Sequence, residues 1–323
     1  MDEKLQQEYD VVVIGGGPAG LSGALMLARS RRSVVVLDSG RPRNAPAAGV
    51  HGLLGHDGTS PRELLAAGRA EVRGYGGQVV DAEVVSATRE ADRFVVLLGD
   101  GREVRARRLL VATGLVDHLP DVPGLAERWG RDVLHCPYCH GWEVRDRPIG
   151  VLGTGPMSHH HALLFRQLSA DVVYFAHHWP PTTEQAEQLA AIGIVVETTA
   201  VTGVEIGDDR LSGIVLADGR TVAREALAVA TRLEARTAHL SGLGLIVQDH
   251  PAGVGTHVPT DATGRTEVPG VWFAGNVSDL MAQVGAAAAQ GALAGAHINA
   301  DLVAEEADAA VARARELSPA GRS

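Results

Sequence analysis

The feature that most constrains this chain is a pattern it carries twice: apolar strand, glycine turn, helix, apolar strand. Val11-Val12-Val13-Ile14 is a continuous apolar run suited to a parallel strand buried on both faces. Gly15-x-Gly17-Pro18-Ala19-Gly20 follows at once, then a helical stretch to Arg29, then Val34 to Leu37, ending on the acid Asp38. A bare G-x-G-x-x-G is weak, but here strand, helix and terminal acid stand in the register of a dinucleotide-binding turn. A second unit begins at Ile149, runs through Gly153-x-Gly155 and a helix from about Met157 to Leu168, and reaches Val172–Phe175 at the same offset. Two such units predict an α/β protein of two Rossmann-type domains.

The second unit is degraded. Ser158 stands where the third glycine belongs, and Ala176 where Asp38 stands in the first. No carboxylate is left for a ribose 2′-hydroxyl and no arginine for a 2′-phosphate, only His177 and His178. His159, His160 and His161 fill the first turn of a helix whose N-terminus should receive a pyrophosphate. His159 and His160, like His51, read as substrate contacts or as ordinary structural histidines. This unit looks like a dinucleotide fold that has lost its dinucleotide.

Elsewhere, Arg108 to Gly114 reads as a strand ending in a tight turn, and Ala226 to Thr231 repeats it. Pro120, Pro123 and Gly124 mark a linker. Val271-Trp272-Phe273 runs into the turn Ala274-Gly275-Asn276. Val284 to Asn299 reads as a small-residue helix whose Gly291-x-x-x-Gly295 packs closely on a cofactor or sheet, and Glu305 to Ser323 as a polar tail that frays.

Length and charge narrow the classes. At 323 residues the protein holds about two domains of roughly 150 residues. With 45% hydrophobic and 21% charged residues it can bury large cores. A net charge of -10 argues against a nucleic-acid partner. Lys4 is the single lysine, which excludes a Walker A loop and lysine Schiff-base chemistry elsewhere. Met1 to Asp10 lacks a secretory pattern, and Gly15-Gly16-Gly17-Pro18 would break a membrane span through the uncharged run from Val11 to Ala28. The expectation is a cytoplasmic protein without membrane contact.

The cysteine count is two, Cys136 and Cys139, spaced C-x-x-C. A permanent disulfide is improbable in a reducing cytoplasm. Zinc is conceivable with His135 and His140 alongside, and inert core thiols are a third reading. A redox dithiol fits better, because this spacing lowers one thiol pKa and lets the pair open and close. No metal is expected.

Taken together, G-G-G-P-A-G, the A-T-G turn, the central C-x-x-C and the C-terminal strand with G-N-V resemble the low-molecular-weight thioredoxin reductase family, from Tyr9 to about Ala300. The resemblance implies an FAD domain built from both ends of the sequence, residues 1–117 and 247–323. A second Rossmann-like domain, inserted in the first at 118–246, would carry the cysteines. Two departures point to one branch. The reductases' nicotinamide motif is replaced by G-T-G-P-M-S and A-H-H, and His140 stands where they place an aspartate. Cys136-Pro137-Tyr138-Cys139-His140-Gly141-Trp142-Glu143 is similar to the dithiol oxidases that close disulfides in natural products such as gliotoxin and holomycin. Arg43-Asn44, His51 and Asp57-Gly58 resemble that branch too.

What the resemblance implies is an FAD-dependent enzyme that oxidises a small-molecule dithiol, with O2 as acceptor and hydrogen peroxide as product. By carry-over, Cys139 faces the flavin, Cys136 exchanges with substrate and His140 moves thiol protons. Asp279 could orient His140 or be an exposed loop acid. FAD would be held by Gly15, Gly17, Pro18, Ala19, Gly20 and Ser39, with Asp38 at the ribose. Arg43, Asn44, His51, Thr113 and Gly114 join them, as do Gly275, Asn276 and Gln283. Asn276 stands where the reductases use an aspartate. A homodimer is implied as well. The competing readings are an NAD(P)H-dependent disulfide reductase of thioredoxin type and a non-catalytic redox-sensing flavoprotein.

Overall fold

Strands buried on both faces need continuous apolar runs, and the computed structural model, which describes residues 5–317, puts them at the sheet centres. β1 (Glu8–Ile14), α1 (Pro18–Arg29) and β2 (Val34–Asp38) form the first unit, extended by α2 (Pro61–Gly74) and β3 (Gln78–Asp81). β4 (Val84–Glu90), β5 (Arg93–Leu98) and β6 (Glu103–Val111) make an antiparallel meander, and β6 closes beside β1 in parallel. The resulting order is β3-β2-β1-β6-β5-β4.

The backbone leaves along β7 (Leu115–His118) and builds a second layer. It passes α3 (Leu125–Arg128), β8 (Val133–Leu134), α4 (Pro137–His140), β9 (Ile149–Leu152), α5 (Ser158–Arg166) and β10 (Val172–Phe175). After α6 (Thr183–Ala191) and β11 (Val195–Glu197), an antiparallel sheet of β12 (Val201–Gly207), β13 (Arg210–Leu216) and β14 (Thr221–Ala223) precedes β15 (Ala226–Val229). The second sheet is parallel throughout, in the order β11-β10-β9-β15-β8. The backbone returns on β16 (Arg232–Ala235), antiparallel to β7, and continues through β17 (Gln248–Asp249) and β18 (Gly255–His257). β19 (Val271–Phe273) then joins β6 as the seventh strand of the first sheet, ahead of α7 (Val284–Leu317). The fold is therefore two Rossmann-type units, the second inserted in the first. Leu240 and Leu243 already pack in the first unit's core, ahead of residue 246.

Alternation along β1 sends Val12 and Ile14 to one face, with Phe94, Leu109 and Leu240, and Val11 and Val13 to the other, under α1 and α7. Two expectations about α7 do not hold. Its Gly291 and Gly295 pack on α1, not on a cofactor or the sheet. A Cβ on Gly291 would lie 1.9 Å from the Ala19 carbonyl oxygen, and one on Gly295 2.6 Å from that of Gly23. The helix also runs to Leu317 where a fraying tail from Glu305 was expected. Glu306 pairs with Arg32 and Arg107 (2.5 and 2.7 Å), and Glu305 with Arg107 (2.7 Å) and Arg108, which pins the added turns to the first sheet. Residues 318–323 of the expected tail lie outside the described residues. No described helix is long and apolar enough to cross a membrane.

Candidate active site

A cavity of about 700 Å³ opens where the C-terminal ends of β1, β2 and β6 meet the glycine turn, the place where open α/β sheets bind ligands. Its size and position suit a dinucleotide. The turn is built for close approach: a Cβ on Gly20 would sit 1.9 Å from the Gly15 carbonyl oxygen, and one on Gly16 2.5 Å from the Asp38 carboxylate. The N-cap of α1 is Gly17, so the helix end is left uncapped by any side group. Its dipole and free N–H groups face outward, as an anion needs.

Gly15, Gly17, Pro18, Ala19, Asp38, Ser39, Asn44, His51, Thr113, Gly114, Gly275, Asn276 and Gln283 all line this cavity. Gly20 does not; it lies under the turn, against Gly15. Arg43 lines the cavity as well, but its guanidinium is already engaged with Asp117, Nε at 2.6 Å and one terminal nitrogen at 2.7 Å. Burial pushes the Asp117 carboxyl up, and the Arg43 pair with the Thr231 hydroxyl (2.9 Å) outweighs it, leaving Asp117 below its usual range. Asp38 is held by Arg69 and by the Gly40 N–H at 3.2 Å. Asn276 donates its amide to the carbonyls of Ala282 (2.9 Å) and Asp279 (3.1 Å), shaping the turn at the cavity rim. A carboxylate there could not donate, which gives the asparagine a physical reason.

Cys136 and Cys139 form a disulfide, with Cα atoms 5.2 Å apart. Cys136 is the N-cap of α4 and its Sγ accepts the Cys139 N–H at 3.2 Å. Of the two, Cys139 lines the cavity, together with His140. Burial lowers the His140 pKa, Glu143 opposes that and His51 adds to it, so the imidazole sits below its ordinary value and is neutral near pH 7. His51 comes from the first unit and its Nε2 lies 3.5 Å from Glu143 Oε1. Glu143 is thus the acid that bears on His140. Asp279 is engaged elsewhere, accepting from Gln290 at 2.7 Å and from the Met281 N–H at 3.2 Å. No group of three or more His, Cys, Asp or Glu among the described residues is placed to hold a metal.

The second glycine turn has a different occupant. Ser158 is fully buried, and its hydroxyl accepts the N–H groups of Thr154 (3.0 Å) and Gly155 (3.2 Å). These are amides a pyrophosphate would use. The loop after β10 folds over the first glycine: the His178 N–H donates to Gly153 at 3.2 Å, and a Cβ on Gly153 would lie 2.6 Å from the Ala176 carbonyl. Burial first, then His135 and His160, push the His161 pKa down to about 3. Its ring meets that of His135 edge-on at 5.1 Å, and the His135 Nδ1–H donates to the Val229 carbonyl at 3.1 Å. Atoms Nδ1 of His161 and Nε2 of His159 are buried with no hydrogen-bond partner among the described residues.

Sequence reasoning missed Arg69, Asp117, Gln290 and Arg236, whose places at the site depend on how distant segments fold together. Glu143 was within reach, since it lies in the quoted cysteine segment.

The family model described as pyridine nucleotide-disulphide oxidoreductase matches residues 9–291. The crystal structure of HlmI superposes with a TM-score of 0.91 at 46% identity, covering 98% of this protein and 99% of that one. An oxidoreductase from Agrobacterium tumefaciens is 36% identical with a TM-score of 0.86, covering 92% of this protein and 99% of that one. Thioredoxin reductase tcpT of Claviceps purpurea is 40% identical over 152 residues, 46% of this protein and 47% of that one. The matches span less than half the length of the first curated relatives.

Proposed function

Because the chain belongs to the pyridine nucleotide-disulphide oxidoreductase family, we propose that it is an FAD-dependent oxidase that closes a small-molecule dithiol to its disulfide. The observation that carries the reading is the contrast between the turns: Ser158 fills the second, while the first opens into a cavity walled by Cys139. The strong likeness to HlmI over the full length supports it. FAD, held by the Gly15–Gly20 turn and Asp38, would supply the acceptor for the two electrons of the Cys136–Cys139 dithiol, with dioxygen as the final oxidant and hydrogen peroxide as its product.

The protein's own residues supply the exchange. A substrate thiolate attacks the Cys136 sulfur, and the Cys139 thiolate leaves toward the cavity. The second substrate thiolate then attacks the substrate sulfur of the mixed disulfide and frees Cys136, so the substrate leaves two electrons poorer and the enzyme holds a dithiol. His140, neutral at physiological pH, accepts a substrate thiol proton and so raises the thiolate fraction. Gly15, Gly17, Asp38, Asn276 and Gln283 are the residues we assign to the cofactor, and a homodimer is part of the same proposal.

The likeness to curated relatives that are thioredoxin reductases favours a second reading as an NAD(P)H-dependent disulfide reductase. Oxygen consumption with a small dithiol, such as dithiothreitol, separates the two. Peroxide equal to dithiol consumed, without nicotinamide and lost in Cys136→Ser, is expected. Turnover only with NADPH present would sink the oxidase reading.

A further inference from the structure

Among the described residues, each carboxylate and guanidinium in the cavity wall has an oppositely charged or histidine partner except one. Asp38 pairs with Arg69, Arg41 with Glu83 (2.6 Å), Arg43 with Asp117 (2.6 Å) and Glu234 with His118 (2.6 Å). Arg236 lines the same cavity and has no carboxylate at ion-pair distance. Its backbone is fixed against the turn after β6: its N–H donates to the Gly114 carbonyl at 3.0 Å, and its carbonyl accepts the Thr113 hydroxyl at 2.8 Å. That turn lies against the first glycine motif, since a Cβ on Gly15 would fall 2.4 Å from the Ala112 carbonyl.

A half-buried guanidinium without a counter-charge is a cost to the folded state. Burial, then Arg41, with Arg43 adding, hold Arg236 below its ordinary pKa, and Asp117 offsets only part of this. An anion in the cavity would relieve that cost. We propose that Arg236 is a phosphate ligand, an added cation for the pyrophosphate of a dinucleotide seated at the Gly15–Gly20 turn. The pyrophosphate identity rests on the FAD reading above; the anion site rests on the unpaired charge. Because Arg236 immediately follows β16, the strand returning from the inserted unit, the cofactor would then touch that connection as well as the first unit.

The test uses the apoprotein of wild type, Arg236→Met and Arg236→Lys, with FAD and ADP as probes in fluorescence and calorimetric titrations, and the apoprotein melting temperature as a separate readout. Arg236→Met should weaken both ligands by at least about 10-fold, with Arg236→Lys in between. Its apoprotein should melt no lower than wild type, because a desolvated charge has been removed. Unchanged affinity for both probes overturns the proposal. So does a lower apoprotein melting temperature accompanied by the affinity loss, which marks a structural role. A wild-type protein that binds ADP but not FAD, with ADP weakened in Arg236→Met, removes the flavin reading and leaves the anion site standing.

Discussion

The two glycine turns start alike, each first glycine donating its N–H to the end of the following strand, and differ in what they can hold. At Gly15–Gly20 the third glycine lets the helix crowd the turn, and the N-cap of α1 stays bare before a large cavity. At Gly153–Ser158 the third position is a serine whose hydroxyl satisfies two amides from within. In the second unit the Thr154 and Gly155 amides are taken up by a side chain while the sheet stays whole. The second unit keeps five parallel strands and is reused to carry a disulfide to the other unit's cavity.

Changes on the first turn's side of this comparison should alter chemistry and cofactor, and changes at the second should alter stability alone. The largest effect is expected for His140→Asn. Loss of the base should slow dithiol oxidation by roughly 100- to 10,000-fold while the flavin spectrum persists, as stopped-flow reduction would show. The wild-type rate should hold down to below pH 6.5, because the lowered His140 pKa keeps the imidazole neutral there, and then fall as the ring protonates. The counterpart His161→Phe, away from the cavity, should leave the rate intact; a matching rate loss would erase the distinction between the cavity and the second turn.

Next comes Gly20→Val. A side group forced against the Gly15 carbonyl should weaken flavin binding by about 100-fold or more, read from the fraction of yellow protein. Retention of full flavin would break the comparison at the first turn. Ser158→Ala should leave flavin untouched but cost about 0.5–1.5 kcal/mol of stability, since two part-buried amides lose their acceptor. Urea unfolding measures it, and an unchanged midpoint would show that water or another group serves equally well.

The effect that is smallest at neutral pH is that of His161, because it develops only in acid. His161 is neutral when folded, with its pKa near 3 against an ordinary 6.5, so the unfolded state takes up the proton first. Stability should fall as pH drops from 6.5 toward 3, by up to about 1.4 kcal/mol per pH unit from this group. His161→Phe should flatten that slope in urea titrations.

Much of the first unit was legible because its signals are local. A strand, three glycines and an acid lie within one stretch, and the structure returns them as β1, α1 and β2. The loss at Ser158 was legible as a missing glycine, but its capture of two amides needed coordinates. Arg69 on Asp38 and Arg43 on Asp117 were hidden because neither partner marks the other in sequence. The same holds for α7, where an Ala-rich polar segment looks frayed until Arg32, Arg107 and Arg108 pair with it. Asp279 seemed free to serve His140 because Gln290, which takes it, sits on a helix read only as small-residue packing.

The central claim is tested most directly by following the visible flavin band of the anaerobic protein while a small dithiol, NADH and NADPH are added in separate runs, then admitting air. Bleaching by the dithiol alone is predicted, with recovery in air and one peroxide formed per flavin. Rapid bleaching by NADPH would contradict it, because the turn that Ser158 fills would then be binding nucleotide after all.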